Sequence, residues 1–141
     1  MRNNEIEQAR SLAKKWHSGQ SDKAGRPYIE HLEHVSETVQ PIAAKVTALL
    51  HDILEDTACT VEELNLAGFG DDIVDAVIAI THRDNEPYDA YIARVKNNEL
   101  ARMVKIADME HNSDLSRLQS ISKKDLERKE KYTFYLAVLI D

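Results

Sequence analysis

The chain has 141 residues, 43% of them apolar and 30% charged, and carries a net charge of −7. That length fits one domain with its own core and leaves no space for a second catalytic module. The balance excludes a disordered chain, and the acidic excess argues against a surface that coats DNA or RNA, which needs many Lys and Arg contacts to phosphates. A small phosphorylated ligand stays compatible, because a metal ion and a few local cations outweigh the overall charge at one site.

The N-terminal stretch MRNNEIEQAR is polar and acid-containing, unlike a secretory signal or a transit peptide. No apolar run approaches the ~20 residues needed to span a bilayer, so a cytoplasmic protein is expected, with no membrane partner. The clearest loop follows, GQSDKAGR (Gly19 to Arg26), polar and glycine-bounded, either substrate-facing or an ordinary solvated turn. Three prolines then mark helix starts: Pro27 before YIEHLEHVSETV, Pro41 before IAAKVTALLHDILED and Pro87 before YDAYIARVKNN. Between them, Thr60 with Glu63 three residues on forms a capping-box pattern. Gly68 and Gly70 bracket a turn before DDIVDAVIAIT. Near the C-terminus Tyr132, Tyr135, Leu136 and Leu139 fall on one helical face. No segment alternates apolar and polar residues in the manner of a strand, so the expectation is a single all-α domain over 1–141, a bundle of about six to eight helices. The single Cys59 excludes an internal disulfide and a cysteine-rich zinc site.

Three polar wedges interrupt this helical pattern. In LLHDILED (Leu49 to Asp56), placed on a helix, His51, Asp52, Glu55 and Asp56 share a sector about 140° wide, opposite Leu49, Leu50, Ile53 and Leu54. Three carboxylates so close repel one another unless a cation or protons compensate. In VKIADMEHN, Lys105, Asp108 and Asn112 share one face. An aspartate in an apolar setting needs a partner, either Lys105 at i, i+3 or a metal ion. In PYIEHLEHV, His31 and His34 both stand as candidate ligands. Together the wedges offer two imidazoles and two carboxylates: His31, with His34 open beside it, His51, Asp52 and Asp108. Such a set suits one divalent ion such as manganese, iron, cobalt or zinc. An ion held there with open positions activates water and polarises a phosphoryl oxygen. Glu55 and Asp56 lie beside it to handle protons or orient the attacking water.

These stretches, HSGQSDKAGRPYIEH (17–31), ALLHDILEDT (48–57), FGDDIVDAVIAIT (69–81) and VKIADMEHN (104–112), resemble the HD domain of RelA/SpoT-type enzymes and their small stand-alone relatives, the alarmone hydrolases. The resemblance covers about residues 10 to 118. It implies an all-helical bundle and one manganese ion on His31, His51, Asp52 and Asp108, and so selects His31 over His34. It implies catalytic roles for Glu55 and Asp56, and contact with the nucleotide for Lys23 and Asn112. The implied reaction removes pyrophosphate from the 3′ position of guanosine tetra- or pentaphosphate. Two departures concern substrate recognition. The family's Arg-Lys pair after GQ is Asp22-Lys23 here, and Asp114 stands where a basic residue is frequent, with Glu110 just before the HN pair. Arg26, Arg83 and Lys105 are the cations available to compensate. His17 reads as structural or as a support to the metal ligands. His82 and Arg83 read either as a helix-end cap or as residues reaching the cleft. Two other functions compete with the alarmone reading: the same chemistry on another nucleotide or phosphorylated metabolite, favoured by Asp22 and Asp114, and a non-catalytic metal- or nucleotide-binding regulatory module. Intact Glu55 and Asp56 speak against the latter, since binding alone does not require them.

Overall fold

Helix starts follow the local chemistry of the chain. In the computed structural model, which describes the backbone of residues 2–141 and side chains from residue 4 on, Pro27, Pro41 and Pro87 each stand immediately before a helix. The helices are α1 (Arg2–Trp16), α2 (Tyr28–Glu37), α3 (Ile42–Leu50), α4 (Ile53–Asp56), α5 (Val61–Leu66), α6 (Asp71–Ile80), α7 (Tyr88–Lys96), α8 (Glu99–Asn112) and α9 (Lys123–Ile140). A single 3₁₀ turn, Leu115–Arg117, links α8 to α9. Among the described residues there are eight helices beside the single-turn α4, in agreement with the all-α expectation. Among the described residues the one extended pairing is an isolated bridge between Ser21 and Pro27, which closes the loop between α1 and α2.

Side-chain caps fix several ends. The Thr60 hydroxyl accepts from the Glu63 amide at 3.2 Å and starts α5. The Glu63 carboxylate turns to that hydroxyl rather than to the Thr60 amide, so only half of the expected capping box forms. The full box appears at Ser122 and Asp125, where α9 begins. Gly68 ends α5 with φ +88°, a left-handed geometry that costs a glycine little.

α3 is the hub. Its Ala44, Val46, Thr47, Ala48, Leu49 and Leu50 are all buried, the pattern of a helix packed on every side. Ala44 and Ala48 face one apolar cluster built with Val35, Ala76, Ile92, Val104, Met109 and Leu139. Val46, Leu49, Leu50 and Ile53 face a second, built with Ala9, Ala13, Leu32, Leu64, Ile73 and Val77. The tyrosine-leucine face of α9 covers the first cluster, with Tyr132, Tyr135 and Leu136 packed on it and Leu139 fully buried. Because α3 is clamped on both flanks, its C-terminal end, which carries His51, is held rigidly at the middle of the bundle.

Candidate metal centre

Three elements bring the four chemistry-bearing side chains together. α2 starts at Tyr28, so Tyr28 and His31 lie one turn apart on its inner face. α8 supplies Lys105, Asp108 and Asn112. The His51-Asp52 pair departs from the expected continuous helix. The regular helix stops at Leu50, the His51 amide makes an i−3 bond to Ala48 O, and Asp52 adopts φ −100°, ψ 0°. Neighbours on a regular helix diverge by about 100° and do not face each other; the break turns His51 and Asp52 towards one centre. Glu55 and Asp56, one turn on, are left at the rim.

Ligand atoms of His31, His51, Asp52 and Asp108 all lie within 4.8 Å of one another, and among the described residues this is the group with metal-binding geometry. His31 Nε2 is 2.8 Å and His51 Nε2 3.3 Å from Asp108 Oδ1, and His51 Nε2 is 3.2 Å from Asp52 Oδ2. Both imidazoles are buried. His51 Nδ1–H donates to Ala48 O at 2.6 Å, which leaves Nε2 as the donor atom facing the centre. His31 Nδ1 shares a hydrogen bond of 2.7 Å with His111 Nδ1. When Nε2 acts as a ligand, Nδ1 carries the proton and donates it to His111. The donor set fits a borderline divalent ion.

The remaining polar groups hold these donors in place. The Tyr28 hydroxyl donates to Asp52 Oδ2. Lys105 Nζ reaches Asp108 Oδ2 at 3.3 Å, and Asn112 Nδ2 donates to Asp108 Oδ1 at 3.1 Å. The two readings of Lys105 and Asp108, an ion pair or a metal site, are therefore compatible: one carboxylate oxygen meets the ammonium and the other faces the imidazoles. Burial would push the Asp108 pKa up, but Lys105 and His51 outweigh it and hold the carboxyl well below its usual range. Burial likewise opposes charge on Lys105 and His51, yet Asp108 for the first and Asp52 with Asp108 for the second raise both well above normal. Asp56 differs. Burial first, then Asp52 and Glu55, push it up to about 6. Glu55 is fixed at the rim, where its Oε1 accepts from the His82 amide at 2.9 Å.

His34 is not part of the centre. It is exposed on α2 and stacks on His111 with ring centroids 3.9 Å apart. His111 was missed as a support for His31; its only signal was its place between Asp108 and Asn112. His17 is buried, donates from Nδ1 to Gln20 Oε1 at 2.8 Å and packs on the Tyr28 ring. Gln20 Nε2 in turn donates to Asp56 O at 3.1 Å, so the loop before α2 braces α4. Lys23 is exposed in that loop and lines a cavity of about 480 Å³ with Gly25, Gln119, Ser120 and Asp125. The last carbonyls of α6 are capped by Arg94, which reaches Ala79 O at 3.2 Å and Thr81 O at 2.7 Å, so the cap role considered for His82 and Arg83 falls to another residue. His82 instead bonds Glu86 O through Nε2 at 2.8 Å and packs on Tyr91. Among the described residues, no helix is long and apolar enough to cross a membrane.

Comparison with known proteins agrees with this geometry. The chain is 28% identical to a GTP pyrophosphokinase of Streptomyces coelicolor over 93% of its length, and 29% identical to a guanosine-3′,5′-bis(diphosphate) 3′-pyrophosphohydrolase of Haemophilus influenzae over 72%. In each case it spans only 17% of the relative. Its fold is similar to that of a solved metazoan ortholog of SpoT described as hydrolysing ppGpp, with TM-score 0.73 and 22% identity over 97% of this chain and 84% of that one. The family model described as HD domain matches residues 9–133, and with the His51-Asp52 doublet at the centre of the bundle, the chain belongs to the HD-domain family.

Proposed function

We propose that residues 1–141 form a single unit that hydrolyses the 3′-pyrophosphate of guanosine tetra- or pentaphosphate in the cytoplasm, with manganese as the divalent ion. The carrying observation is the four-donor cluster of His31, His51, Asp52 and Asp108 with Glu55 and Asp56 at its rim. The names of the relatives support the substrate.

When bound, the divalent ion acidifies a water molecule and polarises a phosphoryl oxygen. The chain's own residues do the rest. Tyr28 orients Asp52, and Lys105 with Asn112 keeps Asp108 ionised and aimed inward. Asp56, with its pKa raised to about 6, is poised to take a proton from the attacking water near neutral pH. Glu55, anchored on the His82 amide, orients that water. The water oxygen bonds to the phosphorus carried by the 3′ oxygen, the bond between that phosphorus and the 3′ oxygen breaks, the 3′ oxygen leaves with the proton released by Asp56, and pyrophosphate departs. Lys23 offers an ammonium to the nucleotide from the loop, and Asn112 borders it from α8. A second reading, another phosphorylated nucleotide, is favoured by Asp22 and Asp114 standing where the family has basic residues.

The test is a panel of phosphorylated nucleotides incubated with and without manganese. Manganese-dependent turnover of guanosine tetraphosphate, lost in His51→Ala, is expected. Turnover of other nucleotides with none of guanosine tetraphosphate would replace the substrate, and activity retained in His51→Ala would overturn the chemistry.

A further inference from the structure

We infer that Arg117 is a positioning residue for substrate: through Asp22 it holds the loop of residues 19–26, and with it Lys23, against the end of the helix that carries Asp108. This rests on the proposed function, in which Lys23 meets an anionic substrate.

Asp22 and Arg117 are 95 positions apart, yet Arg117 Nη2 donates to Asp22 Oδ2 at 2.7 Å, with the two side chains 8% and 20% exposed. The other carboxylate oxygen is also committed. Asp22 Oδ1 accepts from the amides of Ala24 at 2.9 Å and Arg26 at 3.0 Å, which folds the loop around its own carboxylate. Arg117 Nη1 meanwhile donates to His111 O at 3.1 Å, at the end of the helix that carries Asp108. One guanidinium therefore ties the loop to the metal-bearing helix.

Arg117 is itself placed by an acidic residue. Asp114 caps the 3₁₀ turn Leu115–Arg117, accepting from the Ser116 amide at 3.0 Å and from the Ser116 hydroxyl. The two acidic departures from the family pattern, Asp22 and Asp114, thus belong to one latch, and the charge of Asp22 is matched by the Arg117 guanidinium. The ends of the loop are anchored on the same centre, through Gln20 to Asp56 O and through Tyr28 to Asp52. A loop ordered in advance spares the substrate the entropy of ordering it, so the latch acts on binding rather than on the bond-breaking step.

The test compares the parent protein with Arg117→Ala, Asp22→Asn and Arg117→Lys. Asp22→Asn keeps an oxygen for the Ala24 and Arg26 amides but sets an NH2 donor against the Arg117 guanidinium, which breaks the latch while sparing the loop's own turn. Steady-state kinetics with guanosine tetraphosphate and manganese are read beside amide exchange of residues 22–26 in the substrate-free protein. In the first two variants KM is expected to rise on the order of tenfold with kcat within about twofold of the parent. Loop exchange is expected to accelerate, and Arg117→Lys to recover part of both effects. Faster loop exchange with unchanged KM would overturn the positioning role and leave the proposed function standing. A kcat that falls as far as KM rises would also overturn it. A parent protein that does not turn over this nucleotide overturns the proposed function itself, before any variant is made.

Discussion

Loading the centre with manganese gives a stability change that can be worked out in advance. An ion at about a hundredfold excess over its dissociation constant, binding only the folded state, stabilises it by about 2.7 kcal/mol. With 141 residues and an unfolding entropy of roughly 2.1 cal/mol/K per residue, the transition carries about 0.3 kcal/mol/K, so Tm should rise by about 9 °C. His51→Ala removes one of two imidazole donors and leaves the rest of the surface unchanged. Differential scanning calorimetry of both proteins, with and without manganese, separates the site from the 25 acidic residues spread along the chain. The parent should shift by the full amount and the variant by less than about 2 °C. Equal shifts would mean that manganese binds the acidic surface, and the reasoning from the four-donor cluster would fail.

Other consequences follow from the same geometry. Tyr28→Phe removes the hydroxyl that holds Asp52 and should weaken manganese binding by about tenfold in calorimetric titration, an effect typical of losing a ligand's hydrogen-bond partner. Buried His51 has its pKa raised well above normal by Asp52 and Asp108, so in the metal-free protein it still holds its proton at neutral pH. Manganese must displace that proton. Titrations in buffers of different ionisation enthalpy should show about one proton released at pH 7, and affinity should fall as pH drops. Asp56 has a folded pKa of about 6, above its unfolded value of about 3.9. The native state therefore binds protons more readily between those values, and the ionised carboxylate destabilises the fold above pH 6. Asp56→Asn should raise metal-free stability at pH 7 by up to about 1 kcal/mol after solvent screening, measured by urea denaturation, while abolishing turnover.

Much of this architecture was legible in the residues because local chemistry carries it. The three prolines, Thr60 and Gly68 mark helix boundaries through short-range sterics and hydrogen bonds, and they lie where the structure has them. Part of the clustered set was legible as well: His51, Asp52 and Asp108 interrupt apolar stretches, whereas His31 was separated from His34 only by the family resemblance. What escaped depends on tertiary contact. A regular helical projection put His51, Asp52, Glu55 and Asp56 in one sector, and nothing local announced the break at Asp52 that divides centre from rim. Asp22 read as a lost cation because its partner lies 95 positions away. His111 passed unnoticed because its role is set by the approach of α2 to α8. Arg94, the cap of α6, sits on a different helix from the carbonyls it serves.

Guanosine tetraphosphate labelled in its 3′-pyrophosphate, incubated with the manganese-loaded protein and resolved by chromatography, identifies the bond that is cut. The label should appear in inorganic pyrophosphate, with guanosine diphosphate as the other product. Label recovered as orthophosphate, or left in the intact nucleotide, would contradict the assignment.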